Sequence, residues 1–484
     1  MMMMMRLSRV LFTSILAIIM VLTIGVSADV KVNAESLDNN TLGKEIAEKA
    51  KLGLELGISD SNKDKVVFVE TVDGTEKLQN ALNLGAGKIV VLPHSSSFKV
   101  SGLKVPDNTT IIGYGSKIYN DKKHTTLLTI GSGVKIYGLE IQGAGNKDAN
   151  VKGIGINIAS ANSVNYAKNI VIHDSFIHDI GFYGIKAEFA DNVTVTNTNI
   201  EDIGYAGIGG FSVSNFNVDK SHIKAIGPGT DGNAYGVFFS RKGSKSDLGK
   251  YPRSKDSSVT NSTIEDIPLW EALDTHGGEN ITFNHNKIRN AKVGIAFVNA
   301  TGDGKKGIFG TQRSTAKGNQ IEGIGKGCGI IVAGSTSDYA SGLTISDNQL
   351  TNAGKEGSSI SGAICAKLTK DLIIKENTLK NSFANGISIN THNNQFLITK
   401  NKIQDVQDKT YVVPAAIAIR STHNEGTISQ NVLTGDGKLS NKYVSVRGIN
   451  ISTKINVKLK IGTNTNTFKL PIAGGTGSHV TYVK

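Results

Sequence analysis

The sequence predicts an all-β chain folded as a parallel β-solenoid, because a unit of about 23 residues recurs from residue 169 onward. Each unit contains two or three short alternating strands separated by tight turns, and helical periodicity of comparable length is absent. Corresponding apolar residues lie 23, 23, 41 and 24 positions apart, at Ile177, Ile200, Ile223, Ile264 and Ile288. The interval of 41 is one coil plus an insertion of about 18 residues.

A column of asparagines supports the same fold independently. An asparagine falls two residues before the apolar position in units that contain Asn286, Asn319, Asn348, Asn377, Asn401 and Asn431. In a solenoid this column becomes a ladder, in which each side-chain amide bonds to its counterpart about 4.8 Å along the axis. The chain also has 55 glycines and only 7 prolines, which suits frequent turns between short strands.

Composition excludes a small disulfide-stapled domain. With 484 residues, of which 39% are hydrophobic and 19% charged, the chain can bury a large core. Its two cysteines, Cys328 and Cys365, can form neither a disulfide framework nor a cysteine metal site. They occupy different positions within their coils, so we do not expect them to pair with each other.

Residues 1–28 have the pattern of a secretory signal peptide, with Arg6 and Arg9 before an apolar run that ends in Val26-Ser27-Ala28. A membrane anchor is the alternative for this segment. Residues 29–66 are predicted to form an N-terminal leader that is partly helical. No second apolar stretch of membrane-spanning length follows, so we expect a secreted or cell-wall-associated protein.

The net charge is +12, and +10 without the two arginines of the signal peptide. A basic exported protein points to a polyanion outside the cell, and an acidic polysaccharide or cell-wall polymer is favoured over nucleic acid. Solubility alone is the other explanation for this charge.

The segment that enters the repeats carries a motif, D-x-T-x-x-L-Q-x-A, formed by Asp73, Thr75, Leu78, Gln79 and Ala81. It resembles the entry segment of the pectate-lyase-like superfamily and of phage tailspike depolymerases. In those proteins this segment is a helix that caps a right-handed parallel β-helix. The resemblance implies a capped β-helix over residues 67–454, followed by C-terminal strands or a cap at 455–484.

Stacking the coils brings distant residues together. A gapless alignment places Tyr235–Arg241 over Trp270–His276, so that Arg241 lies one coil from His276 and their Cα atoms are about 4.8 Å apart. The next coil puts Asn299 on the other side of His276. Glu271 and Asp274 stand where most coils have small or apolar residues. We therefore predict a catalytic cluster of these four residues: Arg241, Glu271, Asp274 and His276.

Two insertions, residues 227–234 and 242–256, must flank this column as loops. The second is basic, with Lys242, Lys245 and three further cations, and Tyr251 gives it an aromatic side chain. Loops on a rigid scaffold commonly bind ligands. We predict that Lys242, Lys245 and Tyr251 bind substrate together with Tyr235, Trp270 and Asn299; a solvated charge run is the alternative interpretation.

The D-T-H step at Asp274–His276 resembles the D-P-H motif of the alginate carbon-5 epimerases, which are also right-handed β-helices. The resemblance implies that Asp274 and His276 match that motif's catalytic aspartate and histidine. Thr275 replaces its proline, and Glu271 stands where some of these enzymes have a catalytic tyrosine.

The predicted cluster of an arginine, a histidine and two acids suits removal of the proton beside a uronate carboxylate. Polysaccharide lyases and epimerases share this step. Arg241 would neutralise the carboxylate, and His276, oriented by Asp274, would move the proton. One alternative is a glycoside hydrolase that uses Glu271 and Asp274; the other is a non-enzymatic solenoid that binds glycans or the cell wall. Many pectate lyases bind Ca²⁺, so Ca²⁺ is a possible cofactor, although the sequence shows no dense carboxylate cluster.

Overall fold

The computed structural model describes residues 65–69, 74–145, 152–160, 162, 164–227, 232–243, 247–302, 305–325, 327–354, 361–407, 413–435, 446–451, 457–468, 470–474 and 479–483. The predicted signal peptide and nearly all of the predicted leader lie outside these residues. No helix among the described residues is long and apolar enough to cross a membrane.

The described chain has one α-helix, α1 (Thr75–Leu84), and 44 strands. The strands are β1 Val66–Phe68, β2 Ile89–Val91, β3 Ser97–Lys99, β4 Leu103–Val105, β5 Thr110–Tyr119, β6 Thr126–Ile130, β7 Lys135–Gln142, β8 Ile154–Ala159, β9 Ala167–His173, β10 Phe176–Ile180, β11 Tyr183–Glu188, β12 Ala190–Thr196, β13 Asn199–Ile203, β14 Ala206–Phe211, β15 Ser214–Asp219, β16 His222–Ile226, β17 Tyr235–Ser240, β18 Lys255–Thr260, β19 Thr263–His276, β20 Glu279–Asn284, β21 Lys287–Val298, β22 Ala300–Gly302, β23 Lys305–Phe309, β24 Thr315–Lys317, β25 Gln320–Glu322, β26 Ile330–Ala333, β27 Ala340–Ser341, β28 Thr344–Ser346, β29 Gln349–Thr351, β30 Ile364–Lys367, β31 Thr369–Lys370, β32 Ile373–Lys375, β33 Thr378–Phe383, β34 Asn385–Ile389, β35 Asn393–Thr399, β36 Lys402–Gln407, β37 Ala415–Ile419, β38 Asn424–Ser429, β39 Val432–Thr434, β40 Arg447–Ile451, β41 Val457–Ile461, β42 Thr465–Asn466, β43 Leu470–Gly474 and β44 His479–Tyr482.

These strands wind into a right-handed parallel β-helix, which confirms the predicted fold class. Each regular coil places one strand on each of three faces: β10, β13 and β16 on the first, β11, β14 and β17 on the second, and β12, β15 and β18 on the third. We call the outer surface of the second face the site face. The predicted apolar column is paired residue to residue along the first face, from Ile177 through Ile288.

The asparagine ladder forms as predicted. Each amide nitrogen donates to the amide oxygen of the next asparagine, for example Asn319 to Asn348 at 2.8 Å and Asn377 to Asn401 at 2.9 Å. The ladder continues one coil further than predicted, to Asn464. Because these amides are buried and bonded, they hold adjacent coils in one register.

The motif of the cap has a direct physical role. Gln79, on α1, pairs its amide with both backbone groups of Lys104, at 2.8 Å each, and so replaces a missing strand neighbour. The hydroxyl of Thr75 accepts a hydrogen bond from the Ser101 N–H. Leu78 and Leu82 are buried against the first coils, so the helix covers the N-terminal end of the core.

The last strands continue the same sheet. β43 pairs with β40, and β44 pairs with β41, so strands are present to Tyr482 within the region expected to hold C-terminal strands. Between β21 and β24 the strands β22 and β23 form a separate antiparallel hairpin, which projects beside the site face.

The expectation that the two cysteines do not pair is wrong. Cys328 and Cys365 form a disulfide with Cα atoms 6.1 Å apart. Cys365 lies opposite Ile331 on the adjacent coil, and Cys328 is only three residues before Ile331, where the chain turns onto the site face. Two cysteines at different positions within their coils can therefore still pair when one of them lies close to a turn.

Candidate functional site

Strand β19 changes its spacing where it turns onto the site face. Ile267 and Glu271 lie opposite Ala291 and Val293 of β21, so β19 has two more residues than its neighbour between these points. The extra residues include Trp270, which is partly exposed. Bulges of this kind redirect side chains and are frequent beside active sites.

The predicted register is wrong by one residue, although the coils are adjacent as predicted. Tyr235 lies opposite Glu271, and Phe239 lies opposite Thr275, so the same register brings Ser240 opposite His276 and leaves Arg241 one residue beyond. On the other side His276 lies opposite Val298, not opposite Asn299.

A sequence signal could have given the correct register. A small residue followed by an aliphatic residue opens the site-face strand in coil after coil, as in Gly236-Val237 and Gly294-Ile295. In the β19 coil this step is Ala272-Leu273, and Leu273 does lie opposite Val237 and Ile295. The gapless alignment matched Gly236 to Glu271 because alanine replaces glycine there.

Three columns of side chains point outward from the site face. On β19 they are occupied by Glu271, Asp274 and His276, while Leu273 and Thr275 between them face the interior. We call these three outward residues the acid–histidine cluster. One ligand atom from each lies within 4.8 Å of the others. The structure thus brings together three of the four predicted catalytic residues on one strand.

His276 is held at both ring nitrogens. Its Nε2 is 2.8 Å from Asp274 Oδ2, and its Nδ1 is 3.2 Å from the carbonyl oxygen of Asn299. Asp274 is fully buried, Glu271 is 5% exposed, and the His276 side chain is 32% exposed. The side chain of Asn299 donates to the carbonyl of Gly334. Asn299 therefore acts on the cluster through its backbone.

Burial and charge around the cluster shift the pKa of three groups, His276, Glu271 and Tyr235. Burial would lower the pKa of His276, but the carboxylates of Asp274 and Glu271 raise it to about 9, so the ring is cationic at neutral pH. Burial, reinforced by Asp274, raises the pKa of Glu271 well above its usual value. Burial and the two acids likewise raise the pKa of Tyr235. Tyr235 therefore keeps its proton at neutral pH.

A cavity of about 230 Å³ opens above the cluster. His276 and Arg241 both contribute to its wall, whereas Glu271 and Asp274 lie beneath it. The lining residues are Tyr205, Phe211, Tyr235, Phe238, Ser240, Arg241, Gly243, His276 and Ala300. Two cationic side chains and the phenols of Tyr205 and Tyr235 therefore line a cavity whose other walls include Phe211 and Phe238.

Arg241 is buried outside the solenoid core, at 3% exposure. Its Nε donates to the carbonyl of Tyr251 at 2.9 Å, and its guanidinium carbon is 4.2 Å from the centre of the Phe309 ring. The insertion and the hairpin therefore fix its position on the cavity wall.

The basic insertion, residues 242–256, is held against the rest of the protein by specific contacts of its charged side chains. Arg253 donates to the carbonyls of Gly277 and Gly310 and pairs with Asp338 at 2.8 Å, so it anchors the loop. Lys242 pairs with Glu188. Lys245 lies outside the described residues, and Tyr251 is partly buried, with its ring beside Gly243 of the cavity wall.

The site face also carries an aromatic patch that sequence reasoning missed. It packs on the outside of the sheet, with Phe182 stacked on Tyr205 at 4.7 Å and Lys292 Nζ 3.8 Å from the Trp270 ring centre. Its members are Phe182, Tyr183, Tyr205, Phe211, Tyr235, Phe238 and Trp270. The available signal was an aromatic residue directly before the Gly-Ile or Gly-Val step in two coils separated by one, Tyr183-Gly184-Ile185 and Tyr235-Gly236-Val237.

The acid–histidine cluster is the single group of three or more potential metal ligands among the described residues. Ca²⁺ prefers six to eight oxygen ligands. This cluster supplies two carboxyls, and its imidazole nitrogens already contact Asp274 and Asn299. The residues therefore do not fit the Ca²⁺ site considered from the sequence.

The fold is similar to that of solved tailspike proteins. Two variants of the tailspike protein of Escherichia coli bacteriophage HK620, each in complex with a pentasaccharide, match 85% of this chain with TM-scores of 0.53 and 0.52 at 11% identity. The matches cover 74% and 75% of those chains. These similarities confirm the expected parallel β-helix architecture. No family model and no curated protein matches the sequence.

Proposed function

We propose that this chain is an exported enzyme that acts on a uronate-containing polysaccharide by proton transfer beside the sugar carboxylate, as a lyase or a carbon-5 epimerase does. One observation carries the proposal: Arg241 and a cationic His276 face the same cavity, while both carboxyl groups of the cluster lie beneath its wall. A wall with two cations suits an anionic sugar.

The chemistry requires neutralisation of the uronate carboxylate, because the neighbouring C–H becomes acidic only when the developing negative charge is stabilised. Arg241 offers a planar, permanently charged group that matches a carboxylate. His276 adds a second fixed charge. We assign it this role in place of proton abstraction, since both of its nitrogens have partners and the ring is protonated below pH 9.

We assign proton donation to Tyr235, one of the two tyrosines that line the cavity. Its raised pKa keeps the phenol protonated at neutral pH, so Tyr235 has a proton to donate and is not a base. The base that takes up the carbon-5 proton is a water molecule admitted by the open cavity, because no side chain of the wall is assigned that role. Donation of the Tyr235 proton to the departing glycosidic oxygen then gives a lyase product, whereas donation to the opposite face of the ring gives an epimer. In both cases the phenolate recovers its proton from solvent.

Two further features support a glycan substrate and export. The aromatic patch offers rigid apolar surfaces beside the cavity, on which sugar rings can pack. The bound pentasaccharide of the tailspike proteins supports a glycan ligand for this fold. The disulfide is typical of proteins that fold in an oxidising compartment, in agreement with the predicted signal peptide.

Glycoside hydrolysis is the second candidate. It is favoured by the close approach of Asp274 and Glu271, since retaining glycosidases hold two carboxyl groups about 5–5.5 Å apart, with the acid's pKa raised. Full burial of Asp274 opposes it, because a nucleophile or base must reach the sugar.

The test is incubation of the purified protein with a panel of uronate and neutral polysaccharides. We expect either a rise in absorbance from unsaturated products or hydrogen exchange at carbon 5. New reducing ends without either signal would select hydrolysis and contradict the proposal. Retention on a polymer without any reaction would select a binding protein.

A further inference from the structure

A second polar cluster occupies the three outward columns of the site face toward the C-terminal end. On the coils that follow His276, the residues that lie in line with it are Val298, Ala333, Lys367, Asn390 and Arg420. Five coil steps separate His276 from Arg420, or about 24 Å at the spacing of neighbouring strands. Arg447 lies opposite Ala415, which lies opposite Asn385. The strand register continues from Asn385 through the preceding coils to Val293 and Glu271, so Arg447 lies in the column of Glu271.

Arg420 directly follows β37, and Arg447 is the first residue of the neighbouring strand β40. Arg420 donates to the Asn385 amide oxygen at 2.5 Å and to the carbonyl of Val413 at 2.7 Å. Arg447 donates to the amide oxygen of Asn450 at 2.7 Å. Among the described residues no carboxylate forms an ion pair with either arginine. All of these acceptors are neutral, so within the described part of the chain the two positive charges have no acidic partner.

The cluster also has polar atoms without partners. Nε of Arg420 and Nε of Arg447 are buried and make no hydrogen bond to the described residues, and the same holds for Ser388 Oγ and Asn390 Oδ1. Burial and the charge of Arg447 lower the pKa of Arg420 to about 10. An unpaired buried donor and an unbalanced charge are both costly, and a bound anion would relieve both.

We propose that Arg420 and Arg447 form a second binding site, which takes a carboxylate group of the same polysaccharide about 24 Å from the cavity. Arg447 bonds Asn450 through Nη1, so the edge that contains its Nε can pair with a carboxylate through two hydrogen bonds. Arg420, whose Nη2 already donates to Asn385 and Val413, adds its positive charge. This site is a second point of contact with the substrate. The identity of that substrate as a uronate polymer rests on the proposed function.

The consequence is a dependence on chain length. Lys367 is exposed in the same column between the two sites, so a polyanion lying along the axis meets cations at both ends and between them. An oligomer shorter than about 24 Å can occupy one site at a time. A longer oligomer occupies both, and its affinity increases because the second contact is intramolecular.

The first experiment tests the site with inorganic sulfate, independently of catalysis. The melting temperature of the parent protein and of Arg420→Gln and Arg447→Gln is measured against sulfate, with chloride at matched ionic strength as reference. We expect a saturable rise in the parent that both variants lose, because a ligand stabilises the state that binds it. Arg289→Gln, a change of an exposed arginine on the first face, is the control and should keep the rise.

The second experiment tests the ligand with uronate oligomers shorter and longer than about 24 Å. Arg420→Gln should weaken the binding of the longer oligomers about tenfold or more and leave that of the shorter ones unchanged. A sulfate response equal in parent and variants would refute the anion site. A normal sulfate response with no length dependence would refute the polysaccharide ligand. Absence of turnover on any uronate polymer would count against the proposed function alone.

Discussion

The D-T-H step is chemically meaningful because its residues alternate along a strand. Asp274 and His276, two residues apart, project from the same side of β19, whereas Thr275 faces inward and donates its hydroxyl to the carbonyl of Phe239 at 2.8 Å. A threonine at this position can satisfy an interior carbonyl, which proline could not. The carboxylate and imidazole are thereby presented as a pair, with the imidazole nearer to the cavity.

The ion pair makes activity and stability depend on pH. The pKa of His276 is raised from its usual 6.5 to about 9, so the pair contributes fully to stability below pH 6.5, and the contribution disappears as the pH rises to about 9. We expect the difference in melting temperature between the parent and His276→Gln to shrink across this window. Turnover should fall as the pH rises through 9. A rate that instead increases to a plateau above pH 9 would identify His276 as the base.

Arg241 tests the neutralisation of the substrate. Lysine keeps the charge but loses the planar match to a carboxylate and the stacking on Phe309. Removal of one such stabilising group typically costs about 100- to 1,000-fold in rate. We expect Arg241→Lys to lower kcat/KM by this factor on the identified polymer, with an unchanged circular dichroism spectrum. Arg289→Lys is the matched control, and equal activity of both variants would show that Arg241 acts only in packing.

At the scale of elements, the site depends on the segments that interrupt the repeat. The widened spacing of β19 puts Trp270 outward, the insertion after β17 fixes Arg241 through Tyr251, and the hairpin of β22 and β23 supplies Phe309. The insertion is anchored by Arg253, whose side chain reaches three neighbouring segments. It therefore behaves as part of the cavity wall.

The exposed lysines of this insertion should attract the substrate without taking part in the chemistry. Lys250 and Lys255 are exposed, whereas Lys242 is paired with Glu188. We expect Lys250→Gln with Lys255→Gln to weaken polymer binding at low ionic strength, and the effect should fade toward 1 M salt, where screening is strong. Lys287→Gln, an exposed change on the first face, should have a smaller effect. Lost turnover with unaltered binding would contradict this assignment.

For the whole molecule, stability accumulates from contacts between neighbouring coils, as in other solenoids. The apolar column, the asparagine ladder and the backbone pairing all connect one coil to the next. The disulfide is a covalent link of the same kind, and its 37-residue separation spans the step between two coils. It lies between the cavity and the arginine pair along the axis.

Loss of this disulfide should therefore destabilise the central coils. Closing a loop of this length typically stabilises a protein by about 2–4 kcal/mol. We expect Cys328→Ser with Cys365→Ser to unfold at lower urea concentration, and reductant should shift the parent toward the double variant while leaving the variant unchanged. Equal unfolding midpoints of the oxidised parent and the variant would show that the coils need no covalent link.

The sequence by itself determined the repeat and most of its consequences. The spacing of Ile177 and Ile200 and the asparagine column report contacts between consecutive units, and such contacts recur at a fixed interval that a single sequence displays. The Gln79 motif occurs once, and its resemblance to the capping segments of other β-helices indicated its role. The same property identified Glu271, Asp274 and His276, because they depart from what the repeat expects at their positions.

Only the tertiary structure decided features that arise where the repeat is broken. The irregular spacing before Glu271 shifted the register by one residue, and a shift of one residue exchanges the inward and outward sides of a strand. The partners of Arg241, the pairing of Cys328 with Cys365, and the arginine pair at Arg420 and Arg447 depend on turns and insertions of individual length. Their positions follow from packing in three dimensions, because no periodic pattern records how far a loop folds back over its neighbours.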